Sequence, residues 1–198
     1  MRRLIIVVFI FISSFTTNIF AEVKIGIILG FTGPIETLTP AMAASAEVAF
    51  KEASDSGSLL GGEKISVVRA DSTCVDSAVA TAVAEGVVAQ GVVAIMGADC
   101  PGVTSAIASD VAVPNGVVMI SPSATSPGLT TLDDKGYFFR TAPSDARGGQ
   151  ILADITNDRK VKSVAITYTN NDYGKSLADV YKAAVEAYGI KAVSYTHL

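Results

Sequence analysis

Few side chains in this chain are suited to covalent chemistry. The single histidine is His197, at the far end, so a Ser-His-Asp triad would lack its base. G-x-S-x-G, H-E-x-x-H and the P-loop lysine are all absent. Gly26, Gly30 and Gly33 have the wrong spacing for a dinucleotide fingerprint, and Pro34 stands where a helix should open. Asp133-Asp134 reads more simply as a solvated turn than as paired catalytic carboxylates. Cys74 and Cys100 are not in a C-x-x-C arrangement and have no histidine to join them, so no metal site and no cofactor are expected. What remains is binding chemistry. Four stretches combine hydroxyls, glycine and free backbone N–H groups with little charge: Phe31 to Pro34, Gly97 to Gly102, Ser121 to Thr125, and Tyr168 to Tyr173. Such groups can hold a carboxylate through hydrogen bonds without a countercharge. Any one of them is more simply a turn, and only their coincidence on one face would make a site.

Whether they coincide depends on the elements between them. Val23 to Leu29 reads as a strand closed by Gly30 and Gly33-Pro34. Thr39-Pro40 follows as the N-cap and first position of an Ala-rich helix reaching about Ala53. Lys64 to Ala70 is a second strand, and Val75, Val79, Val83 and Val87 mark the buried stripe of the next helix, ended by Gly91. Val92 to Met96 is a strand, about Val103 to Val111 a short helix, and Val117 to Ile120 a strand after the turn at Pro114-Asn115-Gly116. A Ser/Thr/Pro/Gly-rich loop leads to a strand at Tyr137 to Arg140. The alternation resumes with a helix from about Ser144, a strand at Ser163 to Thr167, a helix at Lys175 to Tyr188 and a strand near Ile190. Short apolar strands without alternation indicate a sheet covered on both faces, and repeated βα units an open parallel α/β sheet. In such sheets ligands bind beyond the carboxyl ends of the strands, and all four polar stretches lie there. Thr141-Ala142-Pro143 marks the lobe boundary, giving a first α/β lobe over 22–142 and the opening of a second over 143–198.

The N-terminus carries Met1-Arg2-Arg3, an apolar run from Leu4 to Ile12, and Ile19-Phe20-Ala21 before Glu22. This is the pattern of a secretory signal peptide over 1–21, cleaved after Ala21, and the run is too short to span a bilayer. No cysteine sits at the cleavage point, so no lipid anchor is expected. Losing Arg2 and Arg3 takes the formal charge from −4 to −6, and with no basic run there is no footprint for nucleic acid. In an oxidising compartment the two cysteines read first as a disulfide, with two buried thiols as the alternative. The tail from Ser194 to Leu198 does not continue the βα pattern and looks foreign to the gene, as at a cloning or assembly junction.

Four features together resemble the branched-chain amino-acid (Leu/Ile/Val) binding protein family of type I periplasmic binding proteins. They are the first strand with Thr32-Gly33-Pro34, the two cysteines, the run Val118 to Pro127 with its Ser-Pro-x-Ala-Thr core, and Asn171-Asp172-Tyr173-Gly174. The resemblance implies two Rossmann-like lobes closing on an amino acid, which an inner-membrane ABC permease receives from a monomeric periplasmic protein. It implies that the Ser123 carbonyl accepts from the ligand amine and that Ala124 lines the site. Thr125 would bind the head group, Tyr173 would close from the second lobe, and Cys74 and Cys100 would form the disulfide. The family's serine after the second cysteine is replaced here by Pro101, leaving Gly102 to supply a donor. Asp99 stands where an apolar residue is usual, and Leu38 where an aromatic is. A carboxylate in the cleft predicts a ligand with a polar or cationic side group rather than leucine. Alternatively, Asp99 faces solvent or caps the helix near Val103. A ligand-sensing subunit of a signalling system and an exported α/β enzyme are the other functional readings. The fold of the family crosses between lobes three times and this chain crosses once, so the second lobe is expected to be partial.

Overall fold

The computed structural model describes residues 22–58 and 61–198; the expected signal peptide therefore lies outside the described residues. Five parallel strands form the first sheet: β1 (Glu22–Leu29), β2 (Lys64–Asp71), β3 (Ala94–Gly97), β4 (Val118–Ser121) and β5 (Phe138–Arg140). Their order is β2-β1-β3-β4-β5. The chain steps from β1 to one side and then to the other, so β1 and β3 flank a switch point, where crossover connections diverge and leave a crevice. A second parallel pair, β6 (Ser163–Tyr168) and β7 (Lys191–His197), belongs to the second lobe.

Ile27, Ile28 and Leu29 are consecutive and fully buried, which requires cover on both faces of β1. Ile27 and Leu29 pack on Ala43 of helix α1 (Thr39–Asp55). Ile28 belongs to the main core with Ala80, Ala84 and Val87 of α2 (Ser77–Val88) and Ile107 of α3 (Pro101–Ile107). Burying each large aliphatic side chain contributes about 1.5–3 kcal/mol, so this three-residue run anchors the lobe. The second lobe pairs α4 (Asp145–Asp158) with α5 (Asp172–Ala187) around Ala153, Ala184, Val185 and Ile190. Among the described residues no helix is long and apolar enough to cross a membrane.

Four local expectations are corrected. Thr39 does not cap α1; it is buried, and its hydroxyl donates to the Gly30 carbonyl at 3.0 Å, tying the helix start to the end of β1. Of the valine stripe expected on α2, only Val87 is buried. Asp76 caps the helix by accepting from the N–H groups of Ala78 and Val79, which leaves Val75 outside it. The buried stripe is then Ala80, Ala84 and Val87, while Val75 and Val79 are exposed. Helix α3 starts two residues early, at Pro101, and runs on as a π-helical turn, Ala108–Ala112. Lastly, Ser194 to His197 do continue the pattern: they extend β7 in parallel register with Ala165 to Tyr168.

Candidate functional site

A cavity of about 580 Å³ opens at the carboxyl ends of the strands, between the first lobe and the start of α5. The loop after β1 and the start of α1 give it an apolar wall, with Ile35, Leu38 and Met42, and Val75 and Val103 also line it. The loops after β3 and β4 give a polar wall with Ser123 and Thr125, and α4 and α5 contribute Asp145, Asn171, Asp172 and Tyr173. Asn171 accepts from the Gly174 N–H at 2.8 Å and caps α5, so Asp172 and Tyr173 form the helix's first turn and not a loop. Gly102 in α3 is a close approach: a Cβ there would sit 2.1 Å from the Asp172 carboxylate.

Of the residues expected from sequence, Asp99, Gly102, Ser123, Thr125 and Tyr173 all line this cavity. Ala124 does not. It is fully buried in the main core, its N–H donating to the Ser121 hydroxyl at 3.0 Å, because the loop turns inward there. Cys74 and Cys100 are disulfide-bonded, with Cα atoms 5.2 Å apart, and both border the cavity.

Asp99 lines the floor, yet its carboxylate is turned into the protein. It accepts from the Gly30 N–H at 2.8 Å and from the Cys100 N–H at 3.0 Å, and the residue is 3% exposed. Burial pushes its carboxyl above the usual carboxylate value, against the lowering effect of those backbone donors. The Ser72 hydroxyl also lowers it, but from outside good hydrogen-bond geometry; Ser72 Oγ is buried without a partner among the described residues. The Asp99 carboxylate is thus turned from solvent and taken up by backbone N–H groups, one of them that of Cys100, the residue flanking α3. The reason to expect a polar side group on the ligand goes with it.

Asp71 pins the neighbouring tips. It accepts from the Thr32 hydroxyl at 2.7 Å and the Thr73 N–H at 2.9 Å. Burial raises this carboxyl, but the Thr32 hydroxyl and the N–H groups of Thr73, Thr32 and Phe31 outweigh it and hold it below the ordinary value. The hydroxyls of the β4 loop are likewise engaged: Ser123 Oγ donates to the Asp99 carbonyl at 3.0 Å and Thr125 Oγ1 to Asp145 Oδ2 at 2.7 Å. Asp145 was missed in the sequence, because it follows the lobe boundary and reads as an ordinary first-turn acid of a helix.

The profile of a family described as periplasmic binding protein matches residues 22–197. The chain belongs to that family. It is similar to the Leu/Ile/Val-binding protein homolog 3 of Brucella melitensis, with 32% identity over 91% of this chain and 48% of the relative. Among solved structures it is similar to an ABC transporter substrate-binding protein from Desulfitobacterium hafniense in complex with Leu. That match has 30% identity and a TM-score of 0.69, covering 90% of this chain and 51% of the other. The substrate-binding protein of a branched-chain amino acid transporter from Streptococcus pneumoniae, in complex with isoleucine, matches at 28% identity and a TM-score of 0.75. It covers 90% of this chain and 50% of the other. The chain spans about half the length of the curated relatives it matches. Membership of this periplasmic binding protein family agrees with the parallel two-lobe architecture and with a cavity at the strand tips.

Proposed function

We propose that this chain is part of a periplasmic receptor that captures a small amino acid with an apolar side group, delivers it to an ABC permease and does no chemistry on it. One observation carries the reading: the cavity has an apolar wall at Ile35, Leu38 and Met42 facing a polar wall at Ser123 and Thr125. An amino acid has the same two faces. The α-carboxylate finds backbone donors at Thr125 and at Gly102, which lies in the first turn of α3 where N–H groups have no intrahelical acceptor. The amine finds the Ser123 carbonyl, and the side group lies on the aliphatic wall, where burial contributes about 25 cal/mol per Å². Tyr173 covers the opening from the second lobe. Similarity to the Leu and isoleucine complexes supports the same ligand class.

The test is calorimetry of the full-length protein with each of the common amino acids. Leucine, isoleucine or valine should bind most tightly. Tighter binding of lysine, glutamine or serine would overturn the apolar assignment.

A further inference from the structure

The ladder between β1 and β3 stops short of the crevice, its last pairing being Ile28 with Gly97. Two residues further along each tip, the Asp99 carboxylate accepts from the Gly30 N–H at 2.8 Å. A side chain thus holds the tips together where the backbone no longer does. The same buried residue reaches two other elements. Its second carboxylate oxygen accepts from the Cys100 N–H at the start of α3, and its main-chain carbonyl accepts from the Ser123 hydroxyl at 3.0 Å. Gly30 passes the connection on, because its carbonyl accepts from the Thr39 hydroxyl at the start of α1. Leu38 and Met42, on the apolar wall, stand beside Thr39, and Ser123 stands on the polar wall. One buried acid therefore links the two walls of the cavity through hydrogen bonds on both sides.

We propose that Asp99 is a positioning residue that fixes the separation of the two walls and so sets which side groups the cavity prefers, without itself touching the ligand. The inference rests on the amino-acid reading above and deepens it by assigning the size preference to a residue outside the contact surface. Ionised, the carboxylate accepts at both oxygens; protonated, or replaced by an amide, it gives up one acceptor for a donor. Either change strands the Gly30 or the Cys100 N–H and frees one tip. Burial raises this carboxyl, so the loosening begins above the ordinary value of 3.8, where Asp71 at the end of β2 is still ionised. The other acids around the corner are Asp76, which caps α2, and Asp145 and Asp172, which line the cavity from the second lobe. No basic side chain lines the cavity or pairs with Asp99 among the described residues.

Leucine and alanine share a head group and differ only in side group, so the ratio of their affinities reads the wall separation and cancels their own titration. Calorimetry on the full-length protein should show wild type preferring leucine at neutral pH. That preference should shrink about tenfold toward pH 3.8, the scale of one hydrogen bond to a charged group. Protonation of Asp99 favours the folded state, so a merely structural role predicts no such loss in acid. Asp99→Asn, read where its unliganded fold is intact, should show the reduced preference already at neutral pH and no further change on acidification. A wild-type ratio that ignores pH, or a folded Asp99→Asn with the wild-type ratio, overturns the assignment. So does an equal acid loss in both proteins, which moves the effect to Asp145 or Asp172. If Asp99→Asn does not fold, Asp145→Asn and Asp172→Asn take its place: an acid loss that persists in both supports Asp99, and one that vanishes in either refutes it. A wild-type protein that binds neither ligand overturns the amino-acid reading itself, whereas binding with an unmoved ratio overturns this inference alone.

Discussion

Asp99 and Asp71 are two carboxylates a few residues from the same crevice with opposite responses to pH. Burial raises the Asp99 carboxyl, so the folded state holds its proton more tightly than the unfolded chain. The stability it contributes is complete below the ordinary value of 3.8 and is lost as pH rises through its higher folded-state value. Asp71 is lowered, so its contribution is present above 3.8 and lost as pH falls through its lower folded-state value. Urea unfolding from acid to neutral pH should therefore show wild type losing ground to Asp99→Asn as pH rises, and gaining on Asp71→Asn. Two pH-independent gaps would contradict both assignments. Asp99→Ala should be costly at any pH, about 1–3 kcal/mol for each buried N–H left without its acceptor. The sequence marked Asp99 as unusual for its position but not where it points, because orientation depends on the Gly30 N–H, 69 residues away. Asp145 was hidden for the same reason: its partner Thr125 lies across the lobe boundary.

At the scale of elements, the disulfide joins the loop after β2 to the start of α3 and closes a separation of 26 residues. Replacing both cysteines by serine should lower stability by about 3–4 kcal/mol in the chain-entropy account. Chemical denaturation measures that loss, and thiol labelling of the unreduced protein should find no free thiol. The order of strands within the sheet was not read, whereas strand positions and the parallel open sheet were readable because short apolar runs and glycine turns carry a strong local signal. Helix faces were less so. Val75, Val79, Val83 and Val87 form a true i, i+4 series, but the Asp76 cap sets where the helix starts, and close packing on the sheet favours alanine. Thr39 had the right residue type for a cap and the wrong neighbour, since the Gly30 carbonyl takes its hydroxyl proton.

Across the whole molecule, the two lobes are unequally consolidated. The first has a continuous core running from Ile28 to Phe138, whereas the second rests on Ala153, Ala184, Val185 and Ile190 beneath a two-stranded sheet. Local opening follows buried apolar contact, so amides of β6 and β7 in this 198-residue chain should exchange well before those of β1 and β3. Hydrogen exchange read by mass spectrometry would show this; equal protection would contradict it. The position of the site was legible at this scale alone, since ligands of open parallel sheets bind beyond the carboxyl ends of the strands. Each of the four strand tips named from sequence contributes residues to the cavity, although Ala124 does not. Its chemistry was not, because donor and acceptor roles are settled only when each hydroxyl has found its partner.

The corner formed by Gly30, Cys74, Cys100 and Asp99 also bears on how such a sequence can drift. A Cβ on Gly30 would lie 3.0 Å from the Cys74 Cβ and 3.5 Å from Asp99 Oδ2. A side chain at position 30 therefore meets the crosslink on one side and the buried acid on the other. Loss of the acid strands the Gly30 and Cys100 N–H groups, and loss of either cysteine leaves an unpaired thiol at the mouth of the crevice. No one of the four positions changes cheaply while the other three stand. Lineages that abandon the crosslink should be the ones in which position 30 gains a side chain and position 99 turns apolar, with the substitutions arriving as a correlated group.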